Sequence, residues 1–352
     1  LNTKIASLAT AATALAKPAG TDLHTASVSS GGVASTSVTA TAGPGAVDGT
    51  IDFTVDRLAQ SQVTVTGPLT QWPDQPPTLT FVAADGTTKQ VTASSSSLAD
   101  VAAAINKAGV GVSATQVAAG LDPATGQKLY RLQLSSTQTG AAGAFTVYRG
   151  TPADVTAGTA TNLLNDPGAA QVRQAQDAQV TLWAGSSAAQ TVTSATNTFD
   201  TVLPGVSVTV SAASTTPVTL TVARDDTSIS NAANSLATSL NDIFTFISQK
   251  QAVTTGTDAA GGTTVTAGTF TGESTVRDAN QKLIDAVIAP INGVSPSTYG
   301  ISITSDGQVT FDKTVFASAI AKNPDAVKAA VATVAQRVAD AANVVSDKYD
   351  GT

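Results

Sequence analysis

The 352-residue chain has no cysteine, no methionine, one histidine and one glutamate. Without cysteine there is neither a disulfide framework nor a thiolate zinc site, and a single histidine excludes two-histidine metal motifs. The compartment stays open, because an exported protein can also lack cysteine. Charge is scarce as well: 12% of the residues are Asp, Glu, Lys or Arg, the net charge is -7, and Lys and Arg nowhere cluster. A nucleic-acid binder needs a basic stripe to displace counterions, so that class is excluded. No apolar run approaches the ~20 residues of a membrane span, and the opening stretch lacks the basic-then-apolar order of a signal peptide. With no Met at its start and a helical pattern already under way at Leu1, the sequence reads as a piece of a longer polypeptide.

What is present is a chain rich in Ala, Thr, Val, Ser and Gly, 42% hydrophobic and long enough for two or three cores. Its two ends are helical. Leu1, Ile5, Leu8, Ala12 and Leu15 follow a 4, 3, 4, 3 spacing that holds one narrow stripe, until Pro18 and Gly20 stop the helix. Leu236, Leu240, Ile243 and Ile247 repeat that spacing in a helix predicted to begin near Thr227 or Ser228, and Val276, Ala279, Leu283 and Val287 mark another that ends at Pro290. The last helix has Asn323 as its cap, Pro324 where a missing N–H costs nothing, and Asp325 complementing the dipole. Val327, Val331, Val334 and Val338 continue its stripe. Stripes of this period pack rods side by side, so the ends should form one helical bundle. Leu236, Leu240, Ile243, Ile247, Val327, Val331, Val334 and Val338 are the candidate helix-packing seam. Both outer stripes run close to the chain ends, an arrangement that predicts coiled coil continuing beyond them.

Between the helices the period changes to two. Ile51, Phe53 and Val55 alternate with polar residues, as do Val206, Val208 and Val210, and Val218, Leu220 and Val222. The stretch "SVTVSAASTTPVTLTV" reads as a hairpin, and Val206, Val208 and Val210 are expected to share a sheet with Ile51, Phe53 and Val55. A further unit interrupts this region, with a short helix that turns Leu98, Val101, Ala102 and Ile105 inward and strands near Val112, Leu132, Leu134 and Phe145. The predicted fold class is α+β multidomain, with a helical bundle built from both chain ends and two nested β-rich domains. The bundle takes residues 1–40 and 227–352, with a small hairpin near 300–312; one β-rich domain takes 41–66 and 173–226; the inserted β-rich domain takes 67–172.

Reactive side chains are few. His24, in a polar stretch, is read as an exposed loop residue rather than a base. Asp225 and Asp226 stand at a strand-to-helix junction, where capping explains them better than acid-base chemistry, and Glu273 starts a helix beside the cap candidate Ser274. The "SDG" at 305–307, between Ile301, Ile303 and Val309, Phe311, reads as a hairpin turn and not a calcium loop. The glycine-rich "GTDAAGGTTVTAGTFTGES" has no Gly-Lys-Ser/Thr and reads as a flexible loop. Trp72 and Trp183 are isolated and read as packing residues rather than a sugar platform. No catalytic, cofactor-binding or metal residue is expected, and a β region nested in a helical bundle suits assembly better than chemistry.

The order of several segments resembles one family. These are "ASVSSGGVASTSVTATAGPGAVDGTIDFTVDRLAQ", the helix-strand unit "SLADVAAAIN" with "GVSATQV" and "YRLQLSSTQTGAAGAFTV", and "AQDAQVTLWAGSSAAQTVTSATNTFDTVLPGVSVTV" with Asp177, Ala178, Ser194, Asn197, Gly205 and Val206 in place. "FTGESTVRDANQKL", with Phe270 and Glu273, and "YGISITSDGQVTFDKTVFASAIAKNPDAVKAAV" complete the series. In that order they resemble the bacterial flagellar filament cap proteins, also called hook-associated protein 2, across essentially the whole chain. "SLNDI", with Leu240 and Asn241, departs from the aromatic-Asn pair common in that helix.

The resemblance implies a non-enzymatic, extracellular protein, exported through the flagellar secretion channel to the flagellum tip. There it promotes folding and polymerisation of exported flagellin and prevents its loss. Its implied partners are itself, in a ring-shaped homo-oligomer of about five subunits, flagellin, and the hook-associated junction proteins, with no nucleic acid, membrane or cofactor. The helical bundle and coiled-coil legs would face flagellin, and the β domains would form the plate and ring. A hook-filament junction protein, a flagellin, or a tip-located surface adhesin are the alternative readings.

Overall fold

The computed structural model describes residues 1–346; the last six residues of the expected helical domain, 347–352, lie outside the described residues. The chain divides into two compact units, one of Leu1–Thr25, Ala42–Asp48 and Val222–Thr352, the other of Ala26–Thr41 and Gly49–Thr221. Three of the four boundaries fall within the strands His24–Ser30, Val38–Ala42 and Ser214–Arg224, and the fourth lies just before Gly49–Arg57.

The first unit is helical. Its long members are Asn2–Ala16, Asp226–Gln251, Ser274–Ile288 and Pro324–Ser346, joined by the shorter Lys313–Lys322. Local chemistry starts each where it starts. The Asp225 carboxylate accepts the Ser228 N–H at 2.8 Å, Asp312 accepts from Thr314 and Val315, and Asn323 Oδ1 accepts the Ala326 N–H at 3.1 Å. Each satisfies a donor the helix cannot pair internally. At Ser274 the expectation fails: Glu273 occupies the cap position without a side-chain bond, and Ser274 is already the first helical residue. Their stripes meet in one apolar cluster that joins Ile5 and Leu8 to Leu236, Leu283 and Val334. The paired strands Ile301–Ile303 and Val309–Phe311 flank the Ser305–Gly307 turn and belong to the same unit.

Between the helices Asp226–Gln251 and Ser274–Ile288 the glycine-rich stretch is no structureless loop. Thr254–Thr257 and Thr263–Thr266 pair antiparallel, with Thr255 opposite Val265. The Asp258 carboxylate, accepting the N–H groups of Ala260 and Gly262, closes the turn, and β-branched Thr and Val favour the strands on either side.

The second unit holds four sheets. A six-stranded sheet runs Gln190–Ser194, Ala178–Leu182, Gly49–Arg57, Ser214–Arg224, His24–Ser30, Val33–Ala34; a three-stranded sheet runs Thr198–Leu203, Val206–Val210, Val38–Ala42. Val206, Val208 and Val210 are buried, as alternation predicts, but in the three-stranded sheet and not with Ile51, Phe53 and Val55. Alternation specifies which face is buried and is silent about the partner. The partner is chosen locally: Leu203 pairs with Val206 across Pro204-Gly205, where Pro presets φ and Gly205 takes φ 69° at no steric cost. For the same reason "SVTVSAASTTPVTLTV" is not a hairpin, since its two strands enter different sheets.

The remaining two sheets each have four strands. One runs Thr161–Asn162, Phe145–Arg149, Thr78–Ala83, Thr88–Thr92; the other runs Ala170–Arg173, Val63–Val65, Lys128–Ser136, Val112–Leu121. The helix Leu98–Ala108 buries Leu98, Val101, Ala102 and Ile105 in a cluster with Leu79, Phe81, Val91, Leu132, Leu134 and Trp72.

Candidate assembly surfaces

The eight residues of the predicted seam all lie in the core of the helical unit, each 8% exposed or less. Leu236, Leu240, Val331 and Val334 surround one small apolar gap with Val287, Ile301 and Val309. The seam therefore holds helices to one another within the unit. Asn241, one residue past Leu240, fixes the neighbouring hairpin: its Nδ2 donates to the Val309 carbonyl and its Oδ1 accepts the Val309 N–H, each at 2.8 Å.

Two other carboxamides do the same work in the β unit. Asn106, at the end of its helix, exchanges two bonds with the backbone of Ala114, and buried Gln62 with that of Phe145. Each mimics a peptide group and pairs a buried N–H and C=O that would otherwise go unmet. Asn197 accepts the Ala59 N–H at 2.7 Å, which ties the start of one sheet to the end of a strand in another. Sequence reading gave these amides no structural role, because an Asn or Gln at a helix or strand end looks like an ordinary surface residue.

His24 corrects the sequence reading. It opens a strand, its side chain is 8% exposed, and Nε2 lies 3.4 Å from Asp48 Oδ1. Strand burial next to the Ala42–Asp48 segment, invisible in the local polar sequence, encloses it. Asp225 caps, held below the usual carboxylate range by hydrogen bonds from the Ser228 side chain and backbone, while Asp226 is paired with Arg224. The two adjacent acids thus have separate structural duties. Lys328 on the last helix pairs with Asp22 at 3.0 Å, which raises its affinity for the proton. Among the described residues no group of three or more His, Cys, Asp or Glu side chains is placed to hold a metal ion.

The tryptophans part company. Trp72 is 1% exposed in the inserted core, whereas Trp183 is 45% exposed with φ 50°, in the loop after the strand Ala178–Leu182. It borders an open cleft of about 460 Å3 with Asp52, Ala184, Ser186, Ala188 and Pro217. The packing reading holds for Trp72 and not for Trp183, because a left-handed turn residue stands outside the alternation that would bury it.

A second surface lies in the inserted region. The strand Thr88–Thr92 is the edge of its sheet, and all of it but Val91 is exposed. Between that edge and the helix Leu98–Ala108 runs an open groove of about 550 Å3, lined from the helix by Asp100, Ala103, Ala104, Lys107 and Ala108. What these surfaces offer is contact area and unpaired backbone, not a nucleophile beside a base.

Comparison with known proteins agrees with a molecule of contacts. Family models for the N-terminus and the C-terminus of flagellar hook-associated protein 2 match residues 1–62 and 175–350. Among solved structures, the D1-D2-D3 domains of the flagellar cap protein FliD from Escherichia coli share the fold, with a TM-score of 0.74 and 20% identity over 99% of this chain and 95% of that one. FliD (HAP2) from Pseudomonas aeruginosa PAO1 aligns at 26% identity and a TM-score of 0.47, covering 62% of this chain and 99% of that one. No curated protein sequence matches. Matched at both ends and over more than half of its length, the chain belongs to the flagellar hook-associated protein 2 family, the caps of flagellar filaments.

Proposed function

We propose that this chain caps the distal end of the flagellar filament as a ring-shaped homo-oligomer of about five copies, where it promotes folding and polymerisation of exported flagellin and prevents its loss. The match of both family models, one at each end of the chain, carries this reading. It reaches the tip through the flagellar secretion channel, and its partners there are flagellin and the hook-associated junction proteins. The helical unit faces flagellin, and the β unit forms the exposed plate. The work is mechanical and needs no catalytic group; His24 is enclosed beside Asp48, Asp225 caps a helix and Asp226 pairs with Arg224. A chain without cysteine also crosses a narrow channel without disulfides to reduce.

Deleting the gene tests the reading. Cells should secrete unpolymerised flagellin and lack filaments, and the full-length gene should restore them. Normal filaments in the deletion strain, with only adhesion lost, would support the adhesin alternative and sink the cap.

A further inference from the structure

We infer that Asn292 and Gly293 form a site of spontaneous covalent modification, where the folded chain loses ammonia and becomes a mixture of aspartyl and isoaspartyl forms. The pair is the one Asn-Gly in the sequence. It makes the two-residue connection between Ile291 and Val294, which exchange both backbone hydrogen bonds, at 2.8 and 2.9 Å. Asn292 takes φ 50° and Gly293 φ 81°, the two left-handed residues that a type I′ turn requires. The helix Ser274–Ile288 ends just before it, and the Arg337 guanidinium on the last helix donates to the Ala289 and Pro290 carbonyls at 2.7 and 3.0 Å. The turn is thus held at its base, where Ile291 is buried, and open at its tip.

The chemistry uses that open tip. Asn292 and Gly293 are exposed, and neither the Asn292 carboxamide nor the Gly293 N–H has a hydrogen-bond partner among the described residues. A Cβ added at Gly293 would meet no atom within 4 Å, so a ring formed there has room. With no side chain beside it, the Gly293 nitrogen can reach Asn292 Cγ once ψ of Asn292 rotates out of the turn. That rotation opens only the two bonds of an isolated bridge. The nitrogen bonds to Cγ, the Cγ–Nδ2 bond breaks, and the Gly293 amide proton leaves with the NH2 group as ammonia, giving a five-membered succinimide. Water then opens the ring. Addition at the side-chain carbonyl leaves aspartate on the normal main chain, whereas addition at the main-chain carbonyl leaves isoaspartate, with the chain routed through Cγ. Asn106, Asn197 and Asn241 differ on both counts: their carboxamides are hydrogen-bonded, and the residue after each carries a Cβ. The two products differ in structure as well. Aspartate keeps the turn, because Asp-Gly suits the same angles. Isoaspartate adds a methylene to the main chain of a two-residue turn, so Ile291 and Val294 lose their paired bonds.

The test incubates the purified chain beside a synthetic peptide of residues 289–295 at mildly alkaline pH, which speeds the attack by removing the Gly293 amide proton. Mass spectrometry and isoaspartate-specific methylation follow both. The fragment that holds Asn292 should exchange the mass of ammonia for that of water, at a rate within about a hundredfold of the peptide's, the slowing that two exposed hydrogen bonds impose. Gly293→Ala, which sets a Cβ beside the attacking nitrogen, should remove most of the product. Amide exchange at Ile291 and Val294 should be faster in the isoaspartyl fraction than in the unmodified chain, and unchanged in Asn292→Asp. Slowing beyond that hundredfold, so that conversion waits for the helical unit to unfold, overturns the proposal, as does undiminished conversion of Gly293→Ala. Exchange at Ile291 and Val294 that is no faster in the isoaspartyl fraction, or as fast in Asn292→Asp, overturns the difference drawn between the two products.

Discussion

The helical unit and the β unit build their cores from the same small apolar side chains, yet they distribute the work differently. In the helical unit each stripe is specified within one stretch of sequence, and a single cluster runs from Ile5 through Leu240 and Leu283 to Val345. In the inserted part of the β unit the core depends on pairings far apart in sequence, such as Val63 with Ser135, and gathers around Trp72, Phe81 and Leu134. A stripe fails when one position turns polar; a sheet core fails when a large side chain or a distant tie is lost. The units should therefore respond to different substitutions and melt separately when one is damaged.

The largest effect is expected at the seam. Val334→Asp places a carboxylate where 1% of the residue is exposed, and its desolvation costs several kcal/mol. Calorimetry should lose the helical transition and keep that of the β unit; loss of both transitions together would erase the distinction. Trp72→Ala is the converse, removing about 3–5 kcal/mol from the β unit through the cavity it leaves. The two amides offer a finer comparison. Asn106→Ala and Asn241→Ala each orphan one N–H and one C=O, so each should cost about 1–3 kcal/mol, the first in the β unit and the second in the helical unit. Denaturant melts followed by a probe in each unit would read them separately.

The smallest effect is the cap. Asp225→Ala should cost about 1 kcal/mol at neutral pH. Because hydrogen bonds from Ser228 depress the folded-state pKa of Asp225, its contribution is fully present above the ordinary value of 3.8 and is lost as pH falls through the depressed one. Melting curves of the two proteins should therefore converge under acid, and a difference that persists there would contradict the capping role.

The helical half was legible because its signals are local. The 4, 3 spacing named the buried residues, and Asn323-Pro324 named the start of the last helix, since cap, period and dipole act within one turn. In the β half the sequence specified faces and not partners. Val206, Val208 and Val210 were identified as buried, but their sheet is decided by the Pro204-Gly205 turn and by Val38–Ala42 far upstream. The hairpin Thr254–Thr266 carries no period-two signal, because every residue of its two strands is exposed and no buried face selects apolar side chains. Of the surfaces, Trp183 and the edge Thr88–Thr92 were illegible for a common reason: exposure and an unpaired ladder are properties of what does not cover a segment, and periodicity reports only what does.

The most direct test of the cap role is to see where the protein sits. These 352 residues lack cysteine, so Ala259→Cys, in an exposed turn, introduces a thiol at a known place for a gold or fluorescent label. Complemented cells should carry label at the distal end of each filament, and at that end still after the filament is sheared and regrown. Label spread along the filament shaft, or confined to its base, would contradict a cap.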